Sequence, residues 1–257
     1  MSAQAGATSV KNQVSAEEWQ ARIDLAACYR LVAHYGWDDM IFTHISMRVP
    51  GPDHHFLINP YGMLFEEINA SSLVKIDLQG NKVDDNPWPV NPAGFTIHSA
   101  VHEVRDDAHC VIHLHTMDGT AVSTMECGLL PMNQTAMLVR EQLAYHEYEG
   151  VAVDLDERPR LQQDLGDKSL MLLWNHGTLA VGRSVAEAFM NMYLLERACS
   201  MQVRTLSATQ SWHHPLAGIA EKTAAQGRDP RIIDVVDQLA WPALLRMLDR
   251  RDPGYRE

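Results

Sequence analysis

The sequence predicts a single α/β domain in which helices pack on a largely antiparallel sheet. Short apolar segments joined by tight turns indicate a meander of strands. Amphipathic segments with N-cap signals interleave with them, without a repeat or a Pro/Ser-rich linker. A chain of 257 residues that is 46% apolar can bury an ample core without disulfides. We therefore assign residues 15–257 to one domain with a C-terminal helical extension, and residues 1–14 to a flexible tail.

The N-terminal half predicts a long helix, a strand meander and a second helix. The stretch "SAEEWQARIDLAACYRLVAHYG" begins with a capping box at Ser15 and Glu18 and ends at Gly36. The segments "FTHISMRV" and "HFLIN" predict strands, and "LVKIDLQGNKV" predicts strand, tight turn and strand. The stretch "PAGFTIHSAVHEVRDD" predicts a helix with Ile97, Val101 and Val104 on one stripe and its histidines on a different side.

The C-terminal half continues the alternation. "CVIHLHT" predicts a strand, "MDGTAVSTMECG" a short helix ended by Gly128, and "LAYHEYEGVAV" another strand. "DERPRLQQDL" predicts a charged helix, and "SLMLLWNHGTLAVG" predicts two strands folded about residues 175–177. Ser184 and Glu187 form the capping box of a long helix, and the last helix is predicted to kink or break near Pro242.

Charge and targeting signals exclude several classes of partner. The formal net charge of -12 leaves no basic footprint for nucleic acid and disfavours an anionic membrane surface. The N-terminus lacks an apolar signal region, and no apolar run approaches the roughly 20 residues of a membrane helix. The four cysteines show no C-x-x-C spacing. We expect a cytoplasmic protein without a nucleic-acid or membrane partner.

Three histidines form the candidate metal site. His113 and His115 lie one residue apart at the end of an apolar strand, so both side chains project to the same face. His176 lies at the tip of a predicted hairpin, before Gly177, which permits unusual backbone angles. Three imidazoles with an open position suit one divalent ion, zinc first, with manganese or iron as alternatives. An H-x-H pair also arises by chance in a chain with 13 histidines, so the evidence is its place at a strand end.

The stretches "HLHTMDGTAVS", "NHGTLAVG" and "AGFTIHSAVHEVRDDAHCVIHLHT" together resemble the class II aldolase/adducin family, from roughly residue 16 to 207. The resemblance implies a three-layer α/β/α sandwich around a mainly antiparallel mixed sheet, often assembled as a tetramer with sites between subunits. In the sugar-phosphate aldolases of the family, histidines that match His113, His115 and His176 hold a divalent ion, usually zinc. The ion polarises a substrate oxygen so that a carbon–carbon bond can break.

The sequence departs from the aldolases where they carry their other catalytic groups. Gly94 stands near the place of their acid/base glutamate, and Pro92 and Ala93 replace two phosphate-binding serines. Their catalytic tyrosine has no counterpart in "PMNQTAM". In these departures the sequence resembles the adducin branch of the family, whose head domain is not known as an enzyme. Because the chain ends at "DPGYRE" without adducin's basic tail, we expect no cytoskeletal role.

Several side chains are candidates to replace the missing acid/base. Glu66 and Glu67 follow a strand, although they also fit a solvated turn. Asp118 lies three residues past His115, although it also fits a helix cap. Tyr148 is a possible proton donor, although aromatic residues in strands usually pack in the core.

A second group of candidates would bind substrate. Thr43, His44 and Ser46 match a loop that contacts the phosphate in the aldolases, and Asn59 and Gly62, on either side of Tyr61, occupy the next loop. His98 and His102 share a helical face, where they would either orient ligands or form a hydrogen-bonded packing cluster.

The sequence leaves three functions open. The first is a divalent-metal lyase for aldol cleavage or decarboxylation of a small non-phosphorylated oxo or hydroxy acid. The second is a non-haem iron oxygenase on the same three histidines. The third is a non-enzymatic interaction domain like the adducin head.

We expect a homo-oligomer, a tetramer, because the C-terminal stretch "VVDQLAWPALLRML" is more apolar than a lone surface helix requires.

Overall fold

The computed structural model describes residues 10–151 and 154–257. Most of the predicted tail, residues 1–9, lies outside these ranges, and residues 10–12 form a 3₁₀ turn. Residues 152–153, at the end of the predicted strand "LAYHEYEGVAV", also lie outside them.

A seven-stranded sheet forms the centre of the domain. Its strands are β1 (His44–Arg48), β2 (Phe56–Ile58), β3 (Val74–Ile76), β4 (Cys110–Leu114), β5 (Leu143–His146), β6 (Leu170–Leu173) and β7 (Gly177–Gly182). Their spatial order is β3-β2-β1-β4-β7-β6-β5. Neighbouring strands run antiparallel except β5 and β6, which are parallel. The predicted mainly antiparallel mixed sheet is confirmed.

Helices cover the sheet. They are α1 (Ala16–Tyr35), α2 (Pro92–Val104), α3 (Met117–Ser123), α4 (Gln134–Val139), α5 (Arg158–Leu165), α6 (Val185–Ala208), α7 (Ile219–Gly227), α8 (Pro230–Val235) and α9 (Trp241–Arg251). The N-caps of α1 and α6 are as predicted, because Ser15 and Ser184 accept hydrogen bonds from the backbone N–H groups of residues 18 and 187.

The two larger hydrophobic cores of the described residues make the domain three-layered. The larger core joins α1, α6 and α9 to one face of the sheet, where β4 contributes Ile112 and Leu114. The smaller core joins α2 and α5 to the other face, where β4 contributes Val111. The alternation along β4 thus serves both layers. The predicted α/β/α sandwich is confirmed.

Some predicted elements are wrong in extent. The second strand of "LVKIDLQGNKV" is reduced to one bridge between Ile76 and Lys82, because the side chain of Asp77 accepts hydrogen bonds from the backbone of residues 79 and 81 and holds the turn. Helix α3 ends at Ser123, before Gly128. Helices α4 and α7 were not predicted.

The predicted apolar stripe of α2 is confirmed for Ile97 and Val101, which are buried, and is wrong for Val104, which is exposed. His98 and His102 are also buried, which confirms the alternative that they form a hydrogen-bonded packing cluster. The two histidines lie against β1, where they hydrogen-bond to Ser46. Polar residues are buried on this helix because they are partners for one another.

The C-terminal extension packs on the domain. A π turn at Val236–Ala240 separates α8 from α9, so the predicted break lies just before Pro242, which has no N–H to continue the helix. Trp241 and Leu248 are buried in the larger core, while Val235 and Leu239 are exposed. Among the described helices, none combines the length and apolar character required to cross a membrane.

Candidate metal centre

The three predicted histidines converge at one end of the central strands. His113 lies on β4, His115 follows that strand, and His176 lies in the turn before β7. Antiparallel pairing of Leu114 with Thr178 brings the turn beside the end of β4. The Nε2 atom of His115 lies 3.1 Å from that of His113 and 3.0 Å from that of His176. One ligand nitrogen from each ring lies within 4.8 Å of the others.

The hairpin turn holds His176 differently from the prediction. Asn175, not Gly177, adopts the left-handed conformation, with φ of 56°. Gly177 is required for another reason, because a Cβ there would lie 2.4 Å from the carbonyl oxygen of Leu114. A glycine therefore lets the hairpin approach β4 closely enough to place His176.

Hydrogen bonds on the far side of two rings fix their tautomers. Nδ1 of His113 donates to the carbonyl oxygen of Thr178 at 3.0 Å, and Nδ1 of His115 lies 3.0 Å from a carboxylate oxygen of Asp39. When these imidazoles are neutral, their Nε2 atoms carry lone pairs and no protons. The 3.1 Å contact between the Nε2 atoms of His113 and His115 then joins two acceptors. A cation between them would satisfy both.

Burial favours the neutral form of His113 and His176. It lowers the pKa of His113 well below the ordinary value, and the neighbouring histidines lower it further. Burial, followed by the charge of His115, lowers the pKa of His176 to about 4. Neutral imidazole is the form that binds a metal ion.

Asp39 is a site residue that the sequence prediction missed. It lies in the loop after α1, far from the histidines along the chain, and it orients His115 through Nδ1. Its sequence signal is weak: it is one of two adjacent aspartates in "GWDDM". A carboxylate behind a metal-binding histidine is common, but its position cannot be read from spacing.

A cavity of about 520 Å³ opens over the three histidines. Its lining also includes Asp39, Phe42, His44, Tyr61, Asn91, Pro92, Ala93, Ile97, Tyr148, Gly150 and Val151. The ring centroid of Tyr148 lies 5.9 Å from that of His176. The structure thus brings Tyr148 and His44, two of the predicted site residues, to the metal centre.

The predicted carboxylates lie elsewhere. Glu66 and Glu67 are exposed in a 3₁₀ turn, where Glu67 accepts a hydrogen bond from the backbone of Leu64. Asp118 lies in the first turn of α3 and accepts a hydrogen bond of 2.5 Å from Ser200. The N-cap of α3 is Thr116, so the alternative prediction that Asp118 caps this helix is wrong. None of the three carboxylates lines the described part of the cavity.

Four other predicted substrate residues lie outside the lining. Thr43, Ser46 and Asn59 are buried behind it, and Asn59 accepts a hydrogen bond from the hydroxyl group of Tyr29. Gly62 is exposed, with φ of 114°, and the loop presents Tyr61 to the cavity instead.

The start of α2 explains how the place of the missing glutamate is filled. Asn91 caps the helix, and the following Pro92 and Ala93 line the cavity. A Cβ at Gly94 would lie 2.8 Å from Cδ2 of His44. The imidazole of His44 therefore occupies the space that a side chain at position 94 would enter.

Comparison with known proteins agrees with the fold. The family model described as Class II Aldolase and Adducin N-terminal domain matches residues 23–203. The chain belongs to this class II aldolase and adducin family. A Caulobacter vibrioides protein, assigned provisionally to aldolase class 2, is 57% identical over 249 residues, covering 97% of this chain and 96% of the relative.

Two further comparisons cover both branches of the family. The crystal structure of an aldolase II superfamily protein from Pseudomonas syringae has a TM-score of 0.91 at 47% identity, covering 97% of this chain and all of that one. Alpha-adducin of Rattus norvegicus is 43% identical over 248 residues, covering 91% of this chain and 33% of adducin. Close similarity thus extends to an aldolase superfamily member and to adducin.

Proposed function

We propose that the protein is a divalent-metal lyase that cleaves or decarboxylates a small non-phosphorylated oxo or hydroxy acid. The observation that carries the proposal is the convergence of three Nε2 atoms, two of which are left without protons by the partners of Nδ1. Membership of a family that contains class II aldolases supports the reaction type.

His113, His115 and His176 would hold the ion, and Asp39 would orient His115 from behind. The observed nitrogen separations of 3.0 and 3.1 Å are near the roughly 3.3 Å expected between two imidazole ligands on a tetrahedral zinc ion. When bound, a divalent ion supplies Lewis-acid stabilisation of negative charge on a substrate oxygen. Zinc is our first choice, with manganese or iron as alternatives.

The cavity lining supports a substrate without a phosphate group. It contains no lysine or arginine among the residues that the structure describes. Pro92 cannot donate a backbone hydrogen bond, and Ala93 has no hydroxyl group. A phosphate at the start of α2 would therefore lack the donors that usually bind it.

Tyr148 is our candidate for proton donation, because its phenol lies at the cavity near His176. Glu66, Glu67 and Asp118 would reach substrate only if a neighbouring subunit presented them, since they lie outside the cavity of their own subunit.

Three buried cysteine thiols, Cys28, Cys110 and Cys199, support a reducing cytoplasmic location.

Metal analysis tests the site. His176→Ala should lower zinc affinity by at least about 100-fold, because loss of a ligand exceeds the 10- to 100-fold cost of losing a supporting residue. His213→Ala, a change at an exposed histidine, is the matched control and should keep the metal. The measurement is metal content of untagged protein by mass spectrometry after dialysis. Stoichiometric zinc in the His176 variant would refute the ligand assignment.

Substrate assays test the reaction. The proposal predicts no appreciable cleavage of fuculose 1-phosphate or rhamnulose 1-phosphate with zinc, manganese or iron supplied. Gly94 has no acid/base group, and such a group typically accelerates a reaction by about 10² to 10⁴. Coupled detection of dihydroxyacetone phosphate provides the measurement. Turnover at roughly 1 to 10³ per second would show that a phosphate site and an acid/base exist here.

A second candidate is a non-enzymatic interaction domain, and the similarity to alpha-adducin favours it. The two functions differ in what happens at the cavity. The lyase should consume a hydroxy or oxo acid in a metal-dependent manner, whereas an interaction domain should not. Oxygen consumption by the iron form distinguishes the third possibility, an oxygenase, from both.

A further inference from the structure

A chain of buried hydrogen bonds leads from the backbone to the cavity. Nδ1 of His102 lies 2.9 Å from the carbonyl oxygen of Ala108, and its Nε2 lies 2.7 Å from Oγ of Ser46. The same Oγ lies 2.5 Å from Nδ1 of His98, whose Nε2 lies 2.8 Å from Nδ1 of His44. The four side chains are at most 3% exposed. Water therefore does not compete for these contacts.

The carbonyl group at one end sets the direction of every bond in the chain. A carbonyl oxygen only accepts, so Nδ1 of His102 carries its proton and Nε2 accepts from the hydroxyl group of Ser46. Ser46 then accepts from Nδ1 of His98, and Nε2 of His98 accepts from Nδ1 of His44. The assignment requires neutral rings. Burial lowers the pKa of His102 to about 3, with the charge of Arg48 as the next cause.

Burial, followed by the charge of His102, lowers the pKa of His98 well below the ordinary value, so this ring is neutral as well. The geometry then gives the tautomer of His44, because Nε2 of His98 accepts and only Nδ1 of His44 lies close enough to donate to it. His44 therefore carries its proton on Nδ1, and its Nε2 has a lone pair. The sequence predicts that His44 lies in a loop that contacts phosphate. An imidazole in this tautomer has no proton on Nε2, so Nε2 cannot donate a hydrogen bond to an anion.

His44 lines the cavity, and its Nε2 atom is available for a hydrogen bond there. His44 is part of the lining, and Nε2 has no hydrogen-bond partner within residues 10–151 and 154–257. The ring centroid lies 5.0 Å from that of His113, and Gly94 leaves room for the imidazole. An acceptor without a partner in the wall of the cavity, next to the candidate metal ligands, is a binding group for a donor.

We propose that Nε2 of His44 accepts a hydrogen bond from the hydroxyl group of a 2-hydroxy acid, and so selects hydroxy acids over 2-oxo acids. This inference rests on the proposed function, since the acid would be held at the metal site. A 2-oxo acid presents a carbonyl oxygen at that position, and two acceptors facing each other repel. His98, Ser46 and His102 are positioning residues, because they act through the tautomer of His44.

Binding of lactate and pyruvate to the zinc-loaded protein tests the proposal. The ratio of lactate to pyruvate affinity, measured by calorimetry, should fall about 10-fold in His44→Phe, which keeps a ring but removes the acceptor. His213→Ala should leave the ratio unchanged. Zinc content is measured on each sample. An unchanged ratio in His44→Phe with zinc still bound would overturn the selection by His44 and leave the metal site intact.

A second variant and a spectroscopic measurement cover the case in which His44→Phe does not fold. Ser46→Ala removes the link between His98 and His102, so His44 loses its fixed tautomer and the affinity ratio should fall several-fold. Nitrogen NMR of histidine-labelled protein should show a protonated Nδ1 on His44 in the wild type and mixed tautomers in Ser46→Ala. A protonated Nε2 in the wild type would overturn the proposal. Wild-type protein that takes up no zinc would refute the proposed function as well.

Discussion

Glu196 is a buried carboxyl group beneath the metal centre. It lies on α6, and its Oε1 accepts a hydrogen bond from Thr178, whose carbonyl oxygen accepts from His113. Burial, against the hydrogen bonds of Thr116 and Thr178 and with a smaller contribution from the charge of Asp118, raises the pKa of Glu196 to about 7. The carboxyl group is therefore protonated in the native state under mildly acidic conditions.

The raised pKa makes stability depend on pH in a defined direction. The native state binds this proton more tightly than the unfolded state, whose pKa is near 4.5. The stabilisation is fully present below pH 4.5 and is lost as the pH rises to about 7, a change of roughly 3 kcal/mol. Glu196→Gln, which stays neutral, should lack this loss.

Urea unfolding at several pH values between 4.5 and 7.5 measures the effect. The wild type should lose stability relative to Glu196→Gln across this window, while Glu126→Gln, at an exposed position, should follow the wild type. Parallel pH profiles for the wild type and the Glu196 variant would contradict a buried neutral carboxyl group.

Residues differ in how far the sequence reveals them. His113 and His115 were predictable because strand alternation places both on one face, and His176 because a hairpin tip is a strong local signal. Asp39 and the tautomer of His44 depend on contacts between distant segments. Local patterns carry no information about such contacts, so the structure was needed to find them.

Close packing between elements sets the position of His176. A Cβ at Gly177 would clash with the backbone of β4 at Leu114, so Gly177→Ala should push the hairpin away from β4. His176 would move with it, and zinc affinity should fall about 10-fold or more, the range seen when supporting residues are lost.

Gly182→Ala is the matched control for this prediction. A Cβ there would lie 2.3 Å from the backbone nitrogen of Ala188, a comparable clash at the other end of β7. It should lower stability by roughly 1 to 3 kcal/mol without changing zinc affinity. Competition with a zinc chelator and thermal unfolding give the two readouts. Equal loss of affinity in both variants would mean that β7 transmits any strain to the site.

Elements with strong local signals were predicted well. The caps at Ser15 and Ser184 and the apolar runs of β4, β6 and β7 define these elements without tertiary information. Helices α4 and α7 are short, and their periodicity is weak, so packing rather than pattern determines them. On α2, Val104 is exposed against the prediction, whereas His98 and His102 form the packing cluster that was one of the two alternatives, because hydrogen bonds to Ser46 make these polar residues suitable for burial.

At the scale of the whole molecule, the apolar surface of the C-terminal stretch packs against the core of its own chain. The C-terminal stretch that suggested an oligomer buries Trp241 and Leu248 against its own core, so this motive for assembly is weaker than the sequence implied. The mouth of the cavity gives a different reason to expect an oligomer. Phe42, Tyr148 and Val151 line it and are 47%, 49% and 72% exposed, respectively. Exposed apolar residues around a functional cavity are typical of an interface.

We therefore predict a homo-oligomer, a tetramer, in which the cavity mouth contacts a neighbouring subunit, as family resemblance implies. Val151→Glu should shift the protein towards smaller species, because an interface core excludes an unpaired charge. Val104→Glu is the matched control, since Val104 is exposed, lies at the opposite end of α2 from Pro92 and is not part of the cavity lining. Light scattering at micromolar concentration measures the mass. A wild-type monomer would refute the assembly, and a tetramer unaffected by Val151→Glu would place its interfaces away from the cavity.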